Sequence, residues 1–155
     1  MPPGSTLDVR TIHGIPLYNA DDEAAQGLPA EVTALKDAII AADGLILATP
    51  EYNNSVPGVF KNAIDWLSRP PADIKRVFGG KPVAIIGASP GGFGTVLSQS
   101  AWLPVLRTLG TTLFTGGRVA VSRAGGVFDE HGAMTDDAVR QQLRTFLAGF
   151  VASIS

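Results

Sequence analysis

The chain contains no cysteine. That absence rules out disulfides, thiolate metal sites and a cysteine nucleophile. Histidine occurs only twice, as His13 and His131, so a histidine-rich metal centre cannot be assembled. Charge is also scarce: 17% of residues are charged and the formal net charge is −2, so no basic footprint for nucleic acid or an anionic membrane surface is present. No apolar run approaches the ~20 residues that a bilayer-spanning helix needs. The opening segment, MPPGSTLDVRTIHGIPLYNA, lacks the basic and apolar regions of a secretory signal. A soluble, cytoplasmic protein is the expectation, with no membrane and no nucleic-acid partner.

The chain does have apolar material: 45% of its 155 residues are hydrophobic, enough for one packed domain over residues 1–155. Apolar and polar residues alternate over residues 7–12 (LDVRTI), which predicts a strand. Residues 29–42 read as a helix, with Val32, Leu35, Ile39 and Ala42 on one stripe. A short apolar strand follows over residues 45–48, and Pro57 opens a second helix that stops before Pro70-Pro71. Residues 81–89 form an apolar strand of the kind buried on both faces in parallel sheets. A helix over 95–109 comes next, then a strand over 112–121 with a break at Gly116-Gly117, and a last helix over 135–154 capped by Thr135 or Asp136. This alternation predicts an α/β fold with a mainly parallel sheet flanked by helices. Right-handed crossovers then bring the strand-to-helix loops to one edge, where open α/β sheets bind ligands.

Two of those loops are chemically marked. The first carries Glu51, Tyr52, Asn53 and Asn54, with Ser55 behind. It reads either as a binding loop or as a polar loop whose asparagines form a turn. The second, Pro90-Gly-Gly-Phe-Gly94, follows Ser89 and offers three glycines in four residues, more than a plain strand-to-helix turn requires. Its backbone suits close approach by a flat ligand. Gly87-Ala-Ser-Pro-Gly91 also fits the G-x-S-x-G nucleophile elbow, with Asp129 and His131 downstream in hydrolase order. The residue after that serine, however, is Pro90, which has no N–H for an oxyanion hole. One missing donor there costs roughly 3–4 kcal/mol of transition-state stabilisation, so a serine hydrolase using Ser89 ranks third among the functional readings. Neither G-x-x-x-x-G-K-[ST] nor G-x-G-x-x-G after a strand is present. Arg118 and Arg123 flank a strand, where they could meet an anionic ligand or simply cover a solvated face. Trp66 and Trp102 fall at apolar helix positions and read as core or subunit contacts.

These segments together resemble the NADPH-dependent FMN reductase family, flavodoxin-like enzymes that include quinone, chromate and azo-dye reductases. The matching stretches are IPLYN (15–19), TPEYNNSVPGVFKNAIDWLSRP (49–70), KPVAIIGASPGGFGT (81–95) and FDEHG (128–132). The resemblance implies that Pro50, Glu51, Tyr52 and Asn53 border the isoalloxazine ring of FMN, and that Ser89, Gly91 and Gly92 approach its other edge. It implies hydride transfer from NADPH or NADH to the flavin, delivery of electrons to a quinone or similar small acceptor, and a homodimer or homotetramer. No acid–base residue and no metal ligand is required, because the flavin carries the chemistry.

One departure stands out. The family's opening strand, its G-S-x-R-x-x-S-x-N phosphate loop and its first helix have no counterpart here, so residues 7–12 correspond to the family's second strand. The chain therefore reads as an N-terminally truncated member, either mis-started by the ~35 residues of a strand–loop–helix unit or a short form in which second and third strands pair directly or a subunit supplies cover. In this reading the chain as given holds FMN weakly or not at all. The alternative function is a flavin-free, non-catalytic member acting through oligomerisation.

Overall fold

The computed structural model describes residues 1–154. Its sheet grows outward from a central strand, β2 (Pro82–Ala88), and every pairing is parallel. On one side lies β1 (Leu45–Ala48), with Leu45 opposite Val83 and Ala48 opposite Ile86. On the other side lie two short pieces, β3 (Thr112–Leu113) beside the start of β2 and β4 (Val119–Val121) beside its end. These pieces are one edge strand interrupted by residues 114–118. The predicted break at Gly116-Gly117 falls inside that gap. A Cβ on Gly116 would sit 2.6 Å from the Phe114 ring, so the chain here bends around an aromatic instead of continuing the ladder.

Side chains alternate across the sheet and divide the core in two. Leu47, Val83 and Ile85 face α2 (Ala30–Ala41), α3 (Gly58–Leu67) and α5 (Val96–Thr108), and pack with Trp66 and Trp102. Ala84, Val119 and Val121 face the opposite side, where Phe146 and Phe150 of α6 (Asp137–Ile154) cover them. Both tryptophans are buried, as their helix positions predict. Helix α6 starts two residues later than the pattern suggests. Asp136 caps it by accepting from the Val139 N–H, while the Thr135 hydroxyl donates to the Val127 carbonyl.

Residues 7–12 correct the sequence reading. They form no strand, and Leu7 and Val9 are 54% and 75% exposed. Alternation satisfies the side-chain pattern of a strand, but a ladder needs a neighbouring backbone, and no described strand lies beside this segment. Residues 7–12 and β1 consequently do not pair, so the direct pairing of second and third strands, one of the alternatives above, is not formed.

Residues 14–19 are instead tied to the helices. Trp66 Nε1 and Asn62 Nδ2 both donate to the Pro16 carbonyl, at 2.9 and 2.8 Å, and the Tyr18 N–H donates to Asn62 Oδ1. Asn19 caps a helix that the sequence pattern did not reveal, α1 (Ala20–Gln26). Glu23 of that helix accepts from both the Tyr18 hydroxyl and Arg69 at 2.9 Å. Partial burial raises the Glu23 carboxyl, but these two hydrogen bonds outweigh it and hold the group below its ordinary value. A second tie is nearly buried. Lys36 Nζ reaches the Arg69 carbonyl and Asp73 Oδ2, each at 2.5 Å, and joins α2 to a 3₁₀ turn (Pro71–Asp73) that leads into α4 (Ile74–Val77). The Lys36 hydrogen bond holds the Asp73 carboxyl below its ordinary value.

Candidate functional site

The two marked loops leave the sheet at the carboxyl ends of β1 and β2, side by side. The backbone pairing continues one residue past β1, where the Thr49 N–H donates to the Ile86 carbonyl at 2.9 Å. Thr49 is 2% exposed and its hydroxyl is the hub beneath the site. It donates to the Pro50 carbonyl at 2.8 Å and lies 3.2 Å from Ser98 Oγ and 3.3 Å from Trp102 Nε1. A hydroxyl has one proton to give, so Ser98 and Trp102 must both be donors to it. This hub anchors the first loop to α5.

Beyond Pro50 the chain closes a tight hairpin. Tyr52 and Ser55 exchange both backbone hydrogen bonds, at 3.1 and 3.0 Å, and Asn53 and Asn54 have φ of 49° and 62°. Positive φ at both central residues is the type I′ turn, and asparagine tolerates it. The asparagines are therefore turn formers, and their amides point to solvent without a protein partner among the described residues. The Tyr52 ring, 56% exposed, stands at the same tip.

Glu51 joins this loop to the second one. One carboxylate oxygen, Oε2, accepts from the backbone N–H of Leu97 at 2.9 Å and of Ser98 at 3.0 Å. These are N-terminal amides of α5, whose own preceding residue, Thr95, supplies no capping side chain. Glu51 therefore acts as the helix cap from a distance, and its negative charge sits at the positive end of the helix dipole. Consequently the start of α5 is closed to an exogenous anion.

The second loop is stitched to the residues after β4. The Ser89 N–H donates to the Val121 carbonyl, Ala124 to the Ser89 carbonyl and Arg123 to the Gly91 carbonyl, at 2.9–3.1 Å. Gly87 and Gly94 are forced by crowding. A Cβ on Gly87 would lie 2.1 Å from the Thr49 carbonyl oxygen, and one on Gly94 2.6 Å from that of Ala120. Gly91 and Gly92 are different: a Cβ on Gly92 would touch nothing, and one on Gly91 would meet only Ser89 Oγ at 3.6 Å. The chain itself leaves these two glycines bare, and the space they leave faces outward. Among the described residues Gly92 makes no hydrogen bond, so its N–H and carbonyl are available to a ligand.

The hydrolase arrangement does not form. Ser89 Oγ accepts from the Gly91 N–H, Asp129 Oδ1 holds its own turn through the N–H groups of His131 and Ala133, and the His131 ring lies at the surface beside Glu130. No group of three or more metal-ligating side chains is found among the described residues. Two cavities of about 400 and 380 Å³ lie against residues 12–17, lined in part by Trp66 in the first and by Val59 and Asn62 in the second. Neither is lined by residues of the two loops.

The geometry thus brings together, at the carboxyl edge of a parallel sheet, a tyrosine-tipped hairpin and a glycine backbone that the chain leaves bare, the two faces of the candidate crevice. A family model described as NADPH-dependent FMN reductase matches residues 4–126. The chain belongs to the NADPH-dependent FMN reductase family. It is 44% identical over 144 residues to an NAD(P)H-dependent FMN reductase of Pseudomonas aeruginosa, a match spanning 93% of this chain and 76% of that protein. It is 38% identical over 151 residues to a 2-hydroxy-1,4-benzoquinone reductase of a Burkholderia species, over 97% and 80% of the two chains. The solved structure of FerB, a flavoenzyme NAD(P)H:(acceptor) oxidoreductase from Paracoccus denitrificans, superposes with a TM-score of 0.79 at 36% identity, covering 92% of this chain and 76% of that one. The α/β, flavodoxin-like class expected from the sequence is the class of this FMN reductase family member.

The crevice fits the ring half of a flavin. It supplies an exposed aromatic, free amides and unobstructed backbone, with the loop spacing pinned by Glu51. Fit to the phosphate half is a different matter. The start of α5 is already capped by Glu51, so the Leu97 and Ser98 amides are not open to the flavin's phosphate.

Proposed function

We propose that the chain is an NAD(P)H-dependent, FMN-using reductase of quinones or similar small acceptors. The observation that carries this is the pairing of the Pro50–Asn53 wall with the bare Gly91–Gly92 wall, in a member of a family whose relatives are named FMN and quinone reductases. Pro50, Glu51, Tyr52 and Asn53 border one edge of the isoalloxazine ring, chiefly through backbone, and Ser89, Gly91 and Gly92 border the other. When bound there, FMN supplies the redox chemistry, accepting a hydride equivalent from the nicotinamide and passing two electrons to the acceptor. The protein's residues orient and shield. The hairpin fixes the Tyr52 ring, Glu51 sets the distance between the loops, and the Thr49 hub keeps the crevice floor dry.

We further read residues 1–155 as one domain working in the cytoplasm as a homodimer or homotetramer. Exposed Val59, Phe93 and Leu97, on and beside the first turns of α3 and α5, support a subunit contact near the crevice. The test is NADPH oxidation by the purified chain with added FMN and benzoquinone, followed by loss of nicotinamide absorbance. Consumption that requires both additions supports the reading. A chain that stays colourless with FMN and consumes no NADPH refutes it and favours the flavin-free alternative.

A further inference from the structure

Arg123, in the segment after β4 that is stitched to the crevice's second wall, is left unused by the proposed chemistry. Its backbone is left-handed, with φ +48°, a conformation uncommon for a long side chain and readily adopted by glycine. Two glycines follow at 125 and 126, yet neither occupies the left-handed region. An arginine thus stands where the backbone favours glycine, and such a departure points to a task for the side chain. Its position is fixed by the fold: Arg123 N–H donates to the Gly91 carbonyl at 3.1 Å, and its neighbour Ala124 donates to the Ser89 carbonyl at 3.1 Å. The guanidinium itself is exposed and pairs with no carboxylate, aromatic ring or carbonyl among the described residues. Arg107 and Arg144 are also exposed and unpaired, but they sit on the outer faces of α5 and α6 in ordinary helical backbone.

We propose that Arg123 recognises a phosphate of the nicotinamide dinucleotide. This rests on the reductase reading above. Benzoquinone, the acceptor of the assay above, is uncharged, so with it the anionic groups among the reactants are the phosphates of the two nucleotides. A planar guanidinium binds phosphate through two parallel N–H donors. Tied through its own N–H to the Gly91 carbonyl, and through Ala124 to that of Ser89, Arg123 stands at the rim of the wall that meets the flavin ring, where a reductant stacking on that ring must pass. The group bound is either the pyrophosphate, shared by NADH and NADPH, or the 2′-phosphate, present only in NADPH.

The test uses Arg123→Gly, which suits the left-handed turn and removes the whole side chain with its guanidinium, and Arg123→Lys, which keeps the charge but not the fork. NADP⁺ and NAD⁺ are titrated calorimetrically into each protein, with and without saturating FMN. Arg123→Gly is expected to raise the Kd for NADP⁺ roughly tenfold, the modest end for a hydrogen bond to a charged group, with partial recovery in Arg123→Lys and a smaller difference at high salt. A loss confined to NADP⁺ identifies the 2′-phosphate; an equal loss for NAD⁺ identifies the pyrophosphate. Unchanged dinucleotide affinity in Arg123→Gly overturns the assignment, as does a wild-type chain that binds neither dinucleotide. A loss of FMN affinity alone also overturns it, because the phosphate held would then be the flavin's. Arg123-dependent dinucleotide binding in a chain that takes up no FMN would leave this assignment standing and remove the reductase reading instead.

Discussion

Replacing Glu51 with alanine removes the one side chain that caps α5 and ties the two loops together. The Leu97 and Ser98 N–H groups, at 2.9 and 3.0 Å from Oε2, would both lose their acceptor, and no other capping side chain is in place. Loss of an N-cap costs about 1 kcal/mol, and loss of a carboxylate at a helix N-terminus a further 0.3–1 kcal/mol. Water can replace the acceptor at this half-buried position, so the total stays near 2 kcal/mol. For a domain of this size that corresponds to a fall in Tm of about 4–8 °C. Glu51→Gln keeps an acceptor oxygen and loses only the charge, so its Tm should lie between the two. Calorimetric melts measure both, and hydrogen exchange at Leu97 and Ser98 locates the effect: fast in the alanine variant and slower in the glutamine one. FMN affinity should follow the same order, since the spacing of the crevice walls depends on this contact. An alanine variant that melts within about 1 °C of the parent, with both amides still protected, would show that Glu51 neither caps the helix nor holds the crevice.

Glycine substitutions should separate folding from binding. Gly87→Ala forces a Cβ to within 2.1 Å of the Thr49 carbonyl oxygen, so a loss of about 3 kcal/mol or more is expected in denaturant melts. Gly92→Ala meets no protein atom and should melt like the parent while binding FMN more weakly; unchanged flavin affinity would remove that glycine from the site. FMN and riboflavin should bind the 155-residue chain within about threefold of each other by isothermal titration, because the α5 amides that could meet a phosphate are held by Glu51. A strong preference for FMN would disprove this. The Asp73 carboxyl lies below its ordinary value in the folded state, so its contribution is present above that value and is lost as pH falls through the depressed one. Thermal melts across acid pH should therefore show a steeper fall for the parent than for Asp73→Asn, and parallel curves would refute the linkage.

Much of this architecture is legible in one-dimensional pattern because its causes are local. The helix over 29–42, the buried strands at 45–48 and 81–89, and the break at Gly116-Gly117 follow from periodicity and from proline and glycine placement. Even the juxtaposition of the two loops follows from crossover handedness. The segment at 7–12 shows the limit of such reading, since alternation describes side chains while strand pairing requires another backbone. Helix α1 escaped notice because it buries none of its residues, so no apolar stripe marks it. Glu51 shows a subtler limit. Its residue type suggested a site group, but its partners lie 46 and 47 positions away, and nothing along the chain announces a carboxylate capping a distant helix. Arg123 was visible as a cation near a strand end; only its φ and its tie to Gly91 distinguish it from a solvated one.

The two tryptophans divide the molecule between them in a way that makes it self-reporting. Trp102 donates its indole N–H to Thr49, directly beneath the first crevice wall, and Trp66 donates its own to the Pro16 carbonyl of the N-terminal segment. A change in the crevice alters the surroundings of one indole, and release of residues 14–19 alters those of the other. With Trp66→Phe or Trp102→Phe as single-emitter proteins, intrinsic fluorescence becomes a two-channel gauge. One channel reads flavin arrival by energy transfer, and the other reads the fastening of the chain's opening residues, with no label attached.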